Sequence, residues 1–309
     1  MTSSPHEAPQ PRLRRSSGAA RWRADLILLL VAAIWGSGFV VCRVAAVSLG
    51  AFLYNGPRFL LGALVLLPFI GRRLRGLTRR EVGGGALAGL MLFGAISSQQ
   101  VGLHFTTAGK AGFITSLYVI LVPLLLAVVW RQWPPWSAWV AALLAVAGLF
   151  LLSGLGRLAL APGDGLVLIC AGFWALHVIV VGRLAPQSDA GRLSLVQYVV
   201  CGLLSLPPGL TVDWHTVGGL ASAWWTIPYT AVISVALGFT LQVVGQREAP
   251  ATDAAILLSM EGVFAALSGW LLLGERLSGL QVLGCVLMLM GVLLAQLGGE
   301  RRSLRAGGG

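Results

Sequence analysis

An ionisable side chain inside an apolar run has to be put to use, and Glu261 is placed that way. It stands in Leu257-Leu258-Ser259-Met260-Glu261-Gly262-Val263-Phe264, within an apolar stretch over 252–273. At about 1.5 Å of helix rise per residue it falls close to the middle of that stretch. If the stretch crosses a bilayer, an acid there costs roughly 2.5–3.5 kcal/mol on insertion scales. Three kinds of chemistry fit such a carboxylate. It could exchange protons as a coupling group, touch a cationic or polar group of a substrate, or hydrogen-bond one helix to another.

Lys110 opens another apolar stretch, in Thr106-Thr107-Ala108-Gly109-Lys110-Ala111-Gly112-Phe113. It could bind an anionic group or pair with a carboxylate. Alternatively its stem lies along lipid and its ammonium reaches the interface. Gly109-Lys110 is not a phosphate-binding loop, because His104 stands where the first glycine belongs and Ala111 replaces the Ser/Thr. Asn55, Gln99, Gln100, Gln242, Tyr118, Trp35, Trp174 and His177 are further polar or aromatic groups on apolar stretches, able to line a central cavity. For the tryptophans the competing reading is core or interfacial packing. For His177 and His104 it is hydrogen-bonded packing. Arg43 and Arg58 lie near stretch ends, where snorkelling is the default and a substrate-attracting entrance the alternative.

The surrounding composition is that of a membrane protein. The 309 residues are 57% hydrophobic and 11% charged, with mean hydropathy +0.84. Soluble chains carry about 25% charged residues, so this one has too few ionic groups to cover a water-facing surface. The net charge is +11. Its basic residues sit in tails and short connections, which is topogenic patterning and not a nucleic-acid footprint. The 4 cysteines lie in apolar runs without CxxC or Cys/His metal spacing. There is no HExxH, no GxSxG and no carboxylate pair at metal-binding spacing. Neither an enzyme nor a metal or other cofactor is expected.

Ten apolar stretches emerge between breakers, at 25–47, 52–70, 83–105, 108–130, 137–154, 164–182, 192–210, 223–245, 252–273 and 279–297. Each reads as a helix, since only helices or closed barrels satisfy their backbone in hydrocarbon, and no period-two alternation is present. The first stretch is longer than a signal-peptide core of about 7–15 residues and is succeeded by more spans, so cleavage is not expected. With the N-terminus inside, only Arg43, Arg58, Lys110, Arg157 and Arg276 fall outside; every other basic residue lies on the inner side. Both termini are thus expected to be cytoplasmic, in a bacterial inner membrane.

A gapless shift of 143 residues lays Gln99-Gln100-Val101-Gly102 on Gln242-Val243-Val244-Gly245, Ser116 on Ser259, Tyr118 on Glu261 and Gly148 on Gly291. Five spans per half is odd, so two such halves would insert upside down relative to each other. The expected fold class is an all-α integral membrane protein, ten transmembrane helices forming two inverted five-helix repeats. That is an architecture of secondary transporters.

Several motifs carry a resemblance. They are Ile34-Trp35-Gly36-Ser37, Pro57-Arg58-Phe59-Leu60, Ala108 to Tyr118 with Val122-Pro123, Thr252 to Glu261, and Leu272-Leu273-Gly274-Glu275-Arg276-Leu277-Ser278 with Gln281, Gly284 and Gly291-Val292. Together they resemble the EamA-type family of the drug/metabolite transporter superfamily, over roughly 25–297. The resemblance implies a central cavity open to one side at a time, peripheral fifth and tenth spans, and small substrates such as amino acids, amines or nucleobases, often exported. Gly262 departs from the proline many relatives carry there, and Arg131-Gln132-Trp133 departs from the Gly-Glu signature of the second half. The implied organisation is a basic disordered tail over 1–23, repeats over 24–155 and 163–297, and a cytoplasmic tail over 298–309.

The expected function is a secondary transporter, in the export direction, working by alternating access with proton coupling as one option. A membrane enzyme acting on lipids and a non-transporting scaffold or sensor are the alternatives. The expected partners are a small-molecule substrate and the lipid bilayer, with a homodimer left open and nucleic acid not expected. Reporter fusions test the span parity. Green fluorescent protein should fluoresce, and alkaline phosphatase should stay inactive, when fused to either end. Active phosphatase at one end would mean an odd number of crossings.

Overall fold

The computed structural model describes residues 18–106, 108–153, 161–273 and 277–305. The side chains of 18, 39, 108–110, 269, 272–273 and 298–305 lie outside that description. Among the described residues there is no strand, and the regular structure is helical throughout. Nine stretches among the described residues are long and apolar enough to cross a bilayer, and Trp136–Leu152, at 17 residues, is a shorter tenth.

The first spans are α1 (Gly18–Ser48), α2 (Ala51–Ile70) and α3 (Arg79–Gly102). Helix α1 begins inside the stretch expected to be a disordered tail. Ala19-Ala20-Arg21-Trp22-Arg23 contains no breaker, and Arg21 pairs with Asp253 across the bundle. Helix α3 begins four residues before the expected 83, because a capping box outweighs the local polarity. The Thr78 hydroxyl accepts from the Glu81 backbone at 3.1 Å, and the Thr78 backbone donates to Glu81 Oε2 at 2.9 Å.

The fourth span is two helices, α4 (Ala108–Ser116) and α5 (Tyr118–Val128), divided at Leu117. Helices α6 (Trp136–Leu152), α7 (Asp164–Leu184) and α8 (Ala190–Thr211) come next. The eighth span is not the single α-helix expected over 223–245. After α9 (Leu220–Ala223) and α10 (Thr226–Tyr229), the residues Thr230–Phe239 form a π-helix, and α11 (Thr240–Gly245) completes the crossing. The ninth span is divided into α12 (Ala251–Leu258) and α13 (Glu261–Leu273). The last helix, α14 (Gly279–Arg305), runs past the expected end at 297. Glu275, Arg157 and Arg276 fall outside the described residues.

The divisions in the fourth and ninth spans have the same hydrogen bonding. The Leu117 N–H reaches back three residues to the Ile114 carbonyl at 3.2 Å, and the Met260 N–H reaches Leu257 at 3.2 Å. The Leu121 N–H then donates to the Leu117 carbonyl, and the Phe264 N–H to Met260. Leu117 and Met260 are 143 positions apart, the same offset as in the sequence. The ninth span is interrupted at Ser259-Met260 without a proline at 262.

Packing places α2 against α8, α3 against α7 and α8, and α1 against α13 and the eighth span. Helices α6 and α14 pack on each other. They meet through glycines, as a Cβ on Gly148 would lie 2.5 Å from the Gly284 carbonyl oxygen, and one on Gly284 would lie 2.5 Å from that of Gly148. In lipid, such close backbone approach supplies the dispersion contacts that hold helices together.

Gly148→Leu should therefore force α6 and α14 apart at a cost of about 1–3 kcal/mol. In detergent its melting temperature should fall, whereas Gly83→Leu, where a Cβ meets nothing within 4 Å, should leave it near wild type. Equal melting for Gly148→Leu and wild type would contradict the glycine contact.

Candidate functional site

The helix divisions, the π-helix and the aromatic side chains converge on one cavity. It offers about 60 Å³ to water-sized molecules, room for a few waters. Its wall comes from Trp35, Gly38 and Cys42 on α1, Arg58 on α2, and Ile96 and Gln99 on α3. Thr115, Tyr118, Trp174 and Val178 continue it from α4, α5 and α7. Ser234, Val235 and Phe239 of the π-helix, Leu258 and Glu261 close it. Among the described residues, the pair α6 and α14 contributes none to the lining.

Glu261 is 5% exposed and lies in the first turn of α13, directly after the division. The Ser116 hydroxyl donates to its Oε1 at 3.4 Å, a long contact. Among the described residues no cationic side chain forms an ion pair with it. Gly36 lets α1 run close beside this turn, since a Cβ there would lie 2.7 Å from the Glu261 carbonyl oxygen and 2.9 Å from the Ala265 nitrogen.

Trp35, Trp174 and Phe239 form an aromatic wall. Trp174 stacks on Phe239 with centroids 5.7 Å apart and planes 10° from parallel, and Trp35 lies 4.8 Å from Phe239. The Trp35 indole donates to the Ser234 carbonyl at 3.4 Å. That carbonyl sits in the π-helix, the kind of wide turn often found at functional sites. Gln99 donates to Thr115 Oγ at 3.1 Å, which ties α3 to α4. The Tyr118 hydroxyl and Trp174 Nε1 are buried without a hydrogen-bond partner among the described residues.

Glu261, Gln99, Tyr118, Trp35 and Trp174 are thus brought to one cavity. Other candidates lie elsewhere. Gln242, expected to match Gln99, is fully buried and donates to Gln246 Oε1 at 3.0 Å along its own segment. The π-helix precedes Gln242 but nothing like it precedes Gln99, and its wider turns change the rotational register of the residues beyond it. His177 sits behind the aromatic wall, 2.9 Å from Gln197 Oε1, with its ring edge-on to Trp174 and Phe239. Asn55 is fully buried outside the cavity wall. Lys110 belongs to α4, but its side chain lies outside the described residues.

Arg58 corrects an expectation. It does not snorkel, but is 4% exposed and lines the cavity. Its guanidinium lies over the Tyr54 ring at 4.5 Å and the Phe59 ring at 5.2 Å, and donates to Cys42 Sγ at 3.3 Å. Seven residues from the start of α2 it is about 10 Å along the helix, and its ring contacts hold it there. The signal available in the sequence was the aromatic flank Tyr54 and Phe59 around a lone arginine. Arg43, in contrast, binds the Leu103 carbonyl at 2.7 Å at the end of α3. In the turn beyond it, partial burial, with Arg43 nearby, holds the His104 imidazole below its ordinary pKa.

Comparison with known proteins agrees with this architecture. A family model described as the EamA-like transporter family matches twice, over residues 22–154 and 161–297. An uncharacterized transporter of Archaeoglobus fulgidus is 34% identical over 283 residues, 91% of this chain and 88% of that protein. The threonine/homoserine exporter RhtA of Escherichia coli is 26% identical over 299 residues, 92% of this chain and 93% of the exporter. A solved crystal structure superposes with TM-score 0.76 at 20% identity, covering 91% of this chain and 99% of that one, which speaks to the fold alone. Matched over both halves, this multi-pass membrane protein belongs to the EamA-like transporter family.

Proposed function

We propose that the protein exports small metabolites, such as amino acids, amines or related compounds, from a bacterial cell by alternating access. The observation that carries this reading is a buried carboxylate, without an ion pair among the described residues, on a divided helix facing a cavity built by both halves. Divided spans with a site at the bilayer midplane are a recurring device of secondary transporters. The name of the Escherichia coli relative supports an exported amino-acid-like cargo.

Two observations support an inverted repeat. The divisions at Leu117 and Met260 have equivalent bonding. The packing pattern also maps onto itself when the halves are exchanged: second span on seventh, fifth on tenth, third on sixth as first on eighth. In this reading the halves rock about the cavity, both termini face the cytoplasm, and no cofactor or enzymatic step is involved. Trp35, Trp174, Gln99 and Tyr118 shape the pocket. The transporter names of the relatives and the cavity favour transport over lipid chemistry or a scaffold role.

Glu261 is the coupling group in this reading. Among the described residues, the titratable or charged side chains sharing its cavity are Arg58 on α2, Tyr118 on α5 and Cys42 on α1, and Cys170 lies close by on α7. Protonation removes the charge that makes Glu261 costly in a low-dielectric cavity, so its two protonation states favour differently hydrated arrangements of the halves. In vesicles with an imposed proton gradient, Glu261→Gln should lower gradient-driven transport at least about tenfold, an effect of about 1.4 kcal/mol or more. Full pH-dependent transport by Glu261→Gln would remove Glu261 from coupling.

A further inference from the structure

The cavity holds two opposite charges that do not pair with each other, and the ion pairs of the described bundle all lie elsewhere. Arg21 pairs with Asp253, Arg73 with Asp189 and Arg192 with Glu81, each away from the cavity. Arg58 and Glu261 are each at least nine-tenths buried and line the same space. Among the described residues the Arg58 guanidinium meets neutral groups, a thiol and two rings, and its Nε is buried without a hydrogen-bond partner. Glu261 has one long hydroxyl contact. Arginine stays protonated at any ordinary pH, so its charge cannot be removed by titration and calls for an anion.

We propose that the cavity is a zwitterion site, in which Arg58 takes the carboxylate of a free amino acid and Glu261 takes its ammonium group. The inference rests on the transport reading above and names its substrate class. A planar guanidinium suits a carboxylate through paired N–H donors. A carboxylate accepts from an ammonium, and the faces of Trp35 and Trp174 add attraction for the same cation. The hydrocarbon part of the substrate packs on the Trp174–Phe239 stack. A monoamine would leave Arg58 buried and uncompensated, and a simple carboxylic acid would leave Glu261 either charged and uncompensated or protonated with no ammonium to donate to it. Only a molecule carrying both charges offers a partner to both groups at once, so the site discriminates by the contact that each half-matched ligand leaves unmade.

The test uses the full chain in vesicles of phosphatidylethanolamine and phosphatidylglycerol. Each of the twenty protein amino acids is offered as labelled substrate, beside a panel of labelled amines, hydroxy acids and nucleobases. The best amino acid is then competed with its own decarboxylated amine and its own deaminated acid. At least one amino acid should be carried, and each half-analogue should compete at least about a hundredfold more weakly. Arg58→Gln should abolish amino-acid uptake, whereas Arg58→Lys, which keeps the charge but loses the paired donors, should retain measurable uptake weakened by about tenfold or more. The analogue comparison uses only the wild-type chain, so it does not depend on the variants folding. An amine or an acid that competes as well as the amino acid overturns the zwitterion site. Carriage of other solutes without any amino acid overturns it too, while leaving the transport reading intact. Carriage of nothing on the panel removes both.

Discussion

Hydrocarbon supplies no hydrogen bonds, so every backbone N–H and C=O at membrane depth must find a partner within the protein. That constraint makes an interrupted helix tolerable only where protein or a wet cavity covers the interruption. The divisions at Leu117 and at Ser259-Met260 obey it. Both tighten to three-residue bonds and both lie among buried neighbours. The next residues along the chain, Tyr118 and Glu261, are delivered to the interior as a consequence. Glu261 occupies the cavity because the backbone could only be divided there facing inward.

Electrostatics divides the molecule into ends and a middle. Near the ends, carboxylates meet backbone donors and cations. Asp213 accepts from Phe52 N–H at 2.6 Å and from Leu53 N–H at 3.2 Å, and Glu81 Oε1 accepts from Asp189 N–H at 2.9 Å while Glu81 Oε2 pairs with Arg192 at 3.2 Å. Ion pairs where water has access are worth little individually, but they fix where helices begin and which helices meet. In the middle, the cost of a buried charge rises steeply unless a partner arrives. Arg58 carries that cost as a cation, and Glu261 carries it whenever it is ionised. A site that is costly when empty gains the most from a complementary ligand.

Small residues make the middle possible. Gly36 brings α1 to the start of α13, and Gly148 with Gly284 brings α6 to α14. A solute-accessible space in a bundle of this size requires the remaining contacts to be close, since lipid offers no hydrophobic drive to press helices together. The aromatic wall of Trp35, Trp174 and Phe239 then keeps its shape because these rings support each other from three different spans.

The sequence alone established that the chain crosses a membrane on about ten helices, because apolar content sums along a segment without regard to neighbours. It also established that an acid stands midway along the ninth span, because depth is obtained by counting residues. Tertiary structure decided which face each residue shows. Gln99 and Gln242 occupy matching positions and read alike, yet only Gln99 meets the cavity, because a π-helix ahead of Gln242 turns its segment. Composition does not register that turn, as Thr230–Phe239 is as apolar as any α-helical span around it. Arg58 looked like a snorkelling residue from its place in the chain, and the Tyr54 and Phe59 rings that retain it inside became neighbours of its charge only in the fold. Depth in the membrane is a one-dimensional property and can be counted, whereas orientation about a helix axis is fixed by packing with segments far away in the chain.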